Sequence, residues 1–288
     1  MTLFQAIILA VIQGATEFIP VSSSGHLVLA RSLFGWSDDG GLLFDVLLHA
    51  GSLAAILVYF LPEWRKMLRA LKRRTDPQSD CYRLLPWRLV VATLPIVIAA
   101  PLLKDLLETI FRGQMFVGIS MLATAAWFMA SERISEGIQQ ARVKRENGGN
   151  EVNSGKPDGG GLQMSFGRAL LIGLAQVVAL LPGASRSGWT SGAGIAVGLA
   201  RADAVRFAFF MAVPAIAGAL IFEGKDLLRG AATGAEIRLA AAGFIISLLV
   251  SLAAIHFCLR FFRTRTLRPF AAYLAAAGAA VVALAFFR

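Results

Sequence analysis

Apolar positions along this chain come in runs of two kinds. Six are unbroken: residues 42–61, 83–103, 114–131, 207–222, 239–258 and 270–287. Each is near the length of about 20 residues that a helix needs to cross a bilayer. Two further runs, 2–34 and 166–200, are interrupted midway by Pro, Gly and Ser. Each of these reads as two short helices meeting at a break rather than as one span. Irregular backbone at membrane depth is tolerated only where protein or a cavity covers it, so the breaks are predicted to be re-entrant hairpin tips. The pattern predicts an all-α polytopic membrane protein.

Charge orders the runs. Segment 62–88 holds eight Lys/Arg and is expected to be cytoplasmic under the positive-inside rule. By the same rule 132–165, the stretch around Arg201 and Arg206, and 260–269 lie inside, while 104–113 and 223–238 lie outside. The first hairpin then begins and ends outside, and the second begins and ends inside. Their prolines, Pro20 and Pro182, are 162 residues apart, and that offset carries span 42–61 onto span 207–222. The reading is two repeats of opposite topology, 1–134 and 166–288, each a hairpin plus three spans, in one membrane domain. The polar segment 135–165 is expected to join them as a flexible linker.

Composition agrees. Of the 288 residues 57% are hydrophobic and 16% charged, against about 25% charged in soluble domains. The net charge of +10 is accounted for by cytoplasmic loops facing anionic lipid, and no basic stretch with interleaved aromatics suggests nucleic acid. The first 30 residues contain no Lys or Arg, so no cleavable signal peptide is expected. Cys81 and Cys258 form no metal or redox motif and are expected as free thiols.

Chemistry concentrates at the two breaks. In "QGATEFIPVSSSGH", Gln13 and Glu17 share one helix face, and a carboxylate here must be solvated, paired or metal-bound. Glu17 can snorkel to the interface, or serve with Gln13 as an oxygen ligand for a divalent cation. Ser22, Ser23 and Ser24 offer more hydroxyls than a helix cap needs. Ser23 and His26 are spaced to meet on one face as nucleophile and base. At the second break, "PGASRSGWT" places Arg186 between Ser185 and Ser187, with Thr190 following. Arginine is costly in a membrane, and it either pairs with Glu17 for structure or grips phosphate. Two short helices aiming their N-termini at one place suit a dianion, so Arg186 and the hydroxyls Ser22, Ser24, Ser185, Ser187 and Thr190 are candidate phosphate ligands. Asp45 and His49, one turn apart on the first span, either face this site or pack helices.

These motifs resemble those of the undecaprenyl-diphosphate phosphatases of the bacitracin-resistance type. The matching stretches are residues 13–26, "PGASRSG" with Thr190, and "FDVLLHAGSLAAILVYF" at 44–60, and the likeness extends over essentially the whole chain. The resemblance implies hydrolysis of undecaprenyl diphosphate to the monophosphate and inorganic phosphate, which recycles the lipid carrier for cell-wall precursors and confers bacitracin resistance. It also implies a bacterial cytoplasmic-membrane location, an outward-opening cleft and dependence on Mg²⁺ or Ca²⁺. Carried over by position, Glu17 is the essential carboxylate and metal ligand with Gln13. Ser23 and His26 serve nucleophile and acid/base roles, and Arg186 binds phosphate. Gln13 stands where many members have Glu, which leaves one ligand charge fewer. Attack by Ser23 and attack by water activated by His26 both remain open.

A transporter or flippase for a phosphorylated lipid is the alternative, since inverted repeats with broken helices are typical of transporters. The phosphatidate-phosphatase type is excluded, because nothing upstream of Ser22 carries Lys or Arg and position 192 is Gly rather than His. The Ala/Gly-rich last span can pack against a second copy, as a homodimer, or within the monomer.

Overall fold

A computed structural model describes residues 1–36, 41–72, 79–110, 113–147, 162–227 and 233–287. Among them are eleven helices: α1 Leu3–Thr16, α2 Ser23–Phe34, α3 Gly41–Tyr59, α4 Leu61–Lys72, α5 Ser79–Ile110, α6 Gln114–Asn147, α7 Phe166–Val178, α8 Arg186–Ala196, α9 Arg201–Leu227, α10 Gly234–Phe261 and α11 Arg268–Phe286. Six of these, α3, α5, α6, α9, α10 and α11, are long and apolar enough to cross a membrane, as expected for a multi-pass protein.

Capping explains where the short helices start. Thr2 and Gln5 form a capping box on α1, and Ser22, Ser165 and Ser185 cap α2, α7 and α8 through their side chains. Each satisfies an N–H that the helix itself cannot pair. Shifted by 162 residues, α1 and α2 fall on α7 and α8 to within a residue or two at each end. Packing follows the same relation: α1 lies against α10, and α7 against α5.

The helices approach closely because small residues line the contacts. Gly118 of α6 faces Gly278 of α11, so near that a Cβ on Gly278 would sit 2.8 Å from the Gly118 carbonyl oxygen. The small-residue face of the last span is thus used within the chain. Between α1, α3 and α10 the contact is polar. Ser251 donates to Ser52 at 3.1 Å and to the Gly14 carbonyl at 3.2 Å, and Ser247 donates to the Leu48 carbonyl at 2.8 Å.

Two expectations about connecting segments are corrected. Helix α6 does not end near 131 but runs to Asn147, through the first part of the expected linker. The stretch 132–147 is rich in Glu, Gln, Ala, Arg and Lys, which favour helix; Gly and Asn dominate only beyond it. Burial also holds this extension. Glu132 is fully buried, its carboxylate receiving Arg201 Nε and Nη2 and the Leu267 N–H, which ties α6 to α9 and α11. Residues 148–161 of the linker lie outside the described residues, while Leu162 and Met164 are buried. Within the basic loop 62–88, α4 is an additional amphipathic helix. Met67 and Ala70 face inward while Arg65, Arg69 and Lys72 face outward. Cys81 and Cys258 are free.

Candidate active site

The two breaks meet. At the tip of the second hairpin Gly183 has φ +87°, a conformation open to glycine, and a Cβ there would collide with the Val117 backbone of α6. The Gly183 Cα in turn lies 3.4 Å from where a Cβ on Gly25 would stand, so the backbones of the two tips touch. Ser22 is the one non-glycine residue with positive φ, 74°, among the described residues. Its strain is offset by its cap bond from the Gly25 N–H at 3.3 Å. Helix α8 is fixed from outside the site: Trp189 stacks on Trp127 of α6 at 5.0 Å and donates to Thr124 at 3.1 Å.

Glu17 is the hub. It follows α1 directly and is buried. One carboxylate oxygen, Oε1, is paired with Arg186 Nη2 at the start of α8. The other, Oε2, accepts from Ser23 Oγ at 2.6 Å and from Gln13 Nε2 at 2.9 Å. So residues 13, 17, 23 and 186, drawn from both hairpins, converge on one carboxylate. They border a cavity of about 560 Å³ whose polar end is lined by Glu17, Ser22, Ser23, Ser24, Ser185, Arg186 and Ser187. Its other walls are apolar: Ile96, Val97, Ala100 and Pro101 of α5, and Pro214 to Phe222 along α9. A cavity with one cationic, hydroxyl-rich end and one greasy flank matches an amphiphile with a phosphorylated head.

His26 is not with Ser23. Its Nδ1 donates to the Ser22 carbonyl at 2.7 Å and its Nε2 meets the Tyr273 hydroxyl of α11 at 2.5 Å. The two rings stack with centroids 5.6 Å apart. The i,i+3 pairing expected from spacing is therefore not formed, because both imidazole nitrogens are taken on the side away from the cavity. The imidazole that does line the cavity is His49. Its Nδ1 bonds the Asp45 carbonyl at 2.9 Å, which makes Nδ1 the donor and leaves Nε2 free. Asp45 itself turns away to pair with Arg31 at 2.6 Å. Thr190 also points away from the cavity, donating to the Arg186 carbonyl at 2.8 Å, so it holds the start of α8.

Three features were missed in the sequence. Tyr273 gave a faint signal as a polar-tipped ring in an Ala-rich run. The prolines Pro101 and Pro214, inside long helices, mark the cavity walls. Gln176 of α7 is wholly buried with neither amide atom partnered, and it stands within a residue of the repeat position of Gln13.

A resident divalent cation does not fit these residues. Both oxygens of Glu17 already accept hydrogen bonds, and only the Gln13 Oε1 is buried without a partner. Among the described residues no three His, Cys, Asp or Glu side chains group as a metal site.

The model of the bacitracin resistance protein BacA family matches residues 6–280. The chain belongs to the BacA family. Its BacA relatives include the undecaprenyl-diphosphatase of Pelotomaculum thermopropionicum, 37% identical over 99% of this chain and 97% of the relative. Those of Trichlorobacter lovleyi and Magnetococcus marinus are each 35% identical, over 99% and 98% of this chain and 97% and 99% of the relatives.

Proposed function

We propose that the protein removes the terminal phosphate of undecaprenyl diphosphate, releasing undecaprenyl phosphate and inorganic phosphate. The observation that carries the chemistry is the convergence of Ser23, Glu17 and Arg186 at the polar end of a cavity with apolar walls. The diphosphate enters that end and its polyprenyl chain follows α5 and α9 outward. Arg186 moves from Glu17 to the phosphate oxygens, and the capped N-termini of α2 and α8 add their dipoles. Ser23 Oγ attacks the terminal phosphorus while its proton passes to Glu17 Oε2, the acceptor it already faces. The bond to the bridging oxygen breaks and undecaprenyl phosphate leaves with that electron pair. Water then attacks the phosphoserine; inorganic phosphate departs and Ser23 recovers its proton. Charge on the transferring group is met by Arg186 and by donors already in place.

Glu17 thus takes the base role that spacing had given to His26. His26 positions the turn by holding the Ser22 carbonyl and the Tyr273 hydroxyl. A requirement for Mg²⁺ or Ca²⁺, which the family likeness implies, belongs to the oxygens of the substrate rather than to a protein cage.

The two repeats are read as inverted, with α1–α2 and α7–α8 as re-entrant hairpins. The 162-residue offset and the matched packing of α1 on α10 and α7 on α5 support this. With the basic ends cytoplasmic, the protein sits in the bacterial cytoplasmic membrane and the cavity opens outward, where spent lipid carrier is exposed. Recycling that carrier supports cell-wall synthesis and withstands bacitracin.

The test is phosphate release from undecaprenyl diphosphate by the purified protein, followed by trapping of phosphoserine in a rapid acid quench. Release without label on Ser23 would replace covalent attack with attack by water. No release from folded protein would overturn the enzymatic reading.

A further inference from the structure

The arginines of this protein divide into two groups. Arg31, Arg186, Arg201 and Arg268 each pair with a carboxylate. Arg206, Arg260 and Arg263 make no hydrogen bond or ion pair among the described residues, yet they stand around one cavity. It has a volume of about 850 Å³ and lies between the end of α3, the start of α9 and the end of α10. It is separate from the active site. His49 and Tyr59 mark the two cavities on α3, about 15 Å apart along the axis by helical rise.

The wall is built for an anion. His256, Arg260 and Arg263 are spaced four and three residues apart, so they share one face at the end of α10. Arg206 adds a third guanidinium from α9, and the His256 Nδ1 is bonded to the Tyr59 hydroxyl at 3.1 Å, which leaves Nε2 free. Glu63 and Asp203 are also on the wall, but neither lies within ion-pair distance of these guanidiniums, and one positive charge remains in excess. Guanidinium forks match phosphate oxygens in geometry, and several together outweigh the two nearby carboxylates. Tyr59, Phe60 and Leu259 supply apolar surface beside the charges, and Phe257 next to them is 47% exposed on the lipid-facing side of α10.

We propose that this second cavity binds a phosphate group, either in the headgroup of an anionic lipid or as soluble phosphate. Occupancy would join α3, α9 and α10 at the end opposite the catalytic cavity and stabilise the folded protein by mass action.

The experiment uses full-length protein in a neutral detergent, in an Arg186→Gln background that weakens phosphate binding at the active site. Thermal unfolding is followed against dihexanoyl phosphatidylglycerol, dihexanoyl phosphatidylcholine and inorganic phosphate at constant ionic strength. The expected result is a saturable rise in Tm with phosphatidylglycerol and none with phosphatidylcholine. Half-saturation should move up about tenfold in Arg206→Gln/Arg260→Gln/Arg263→Gln. It should stay within about twofold in Arg65→Gln/Arg69→Gln/Arg265→Gln, which removes the same charge elsewhere on the basic surface. An equal response to inorganic phosphate supports the site with a soluble source. If the triple variant does not fold, Arg260→Gln alone, at an exposed position, should move half-saturation about threefold. No saturable response to either anion, an equal response to phosphatidylcholine, or equal losses in the two triple variants would overturn the site.

Discussion

Ser23 and Glu17 are six residues apart across a helix break, and the Ser23 hydroxyl donates to the Glu17 carboxylate at 2.6 Å. The break brings them together. In a continuous helix a spacing of six would set the two side chains on different faces. Glu17→Gln keeps the shape but removes the proton acceptor and the partner of Arg186. Phosphate release should fall by about 10²–10⁴-fold, the range of general-base loss. Ser23→Ala should be at least as severe, and Ser24→Ala much milder, in a phosphate-release assay.

His26 and Ser23 should respond differently to conservative change. Asn at position 26 can still donate to the Ser22 carbonyl, as Nδ1 does now. His26→Asn is therefore expected to retain far more activity than Ser23→Ala, with kcat lowered and the acidic limb of the pH profile unmoved. Activity as low as that of Ser23→Ala would return the base role to His26.

Gly183→Ala sets a Cβ against the Val117 backbone at a positive φ. A shift of the tip that carries Arg186 should follow, with a loss of stability of about 1–3 kcal/mol and a matching loss of activity. Thermal unfolding and the phosphate assay on the same sample check both.

Glu132 is buried and holds Arg201 and the Leu267 N–H. Glu132→Ala leaves a guanidinium and a backbone donor without a partner, and should destabilise by about 3–5 kcal/mol. A double variant with Arg201→Met should recover part of that loss in chemical denaturation.

Calcium or magnesium titrated into substrate-free protein should give no saturable heat tighter than the millimolar range. Tight binding in calorimetry would require a ligand set that the carboxylate at position 17, already accepting three donors, does not offer.

The fold was legible because its determinants are periodic. Lengths of apolar runs gave the six long helices, and Pro20 and Pro182 gave both breaks and the offset between them. The site was legible in part. Glu17, Ser23 and Arg186 announced themselves as polar groups that a membrane disfavours. The partner of Ser23 was misread because helical spacing governs side chains only inside a helix. The Ser23–Glu17 contact spans the turn, whose path depends on the positive φ of Ser22. His49 was left open because an imidazole on a span looks the same whether it faces a cavity or a neighbour. Helix α4 and the extension of α6 were hidden in loops whose charge dominated the pattern.

The pairing of Arg186 with Glu17 has a consequence for turnover. Before substrate arrives, the cation that will hold the phosphate is already neutralised by a tethered carboxylate. Incoming diphosphate displaces that carboxylate, with its higher charge and its anchored hydrocarbon tail. Once the tail has left, the remaining inorganic phosphate competes for Arg186 with a rival whose local concentration never falls. The site is in this sense self-clearing: product inhibition by phosphate should be weak.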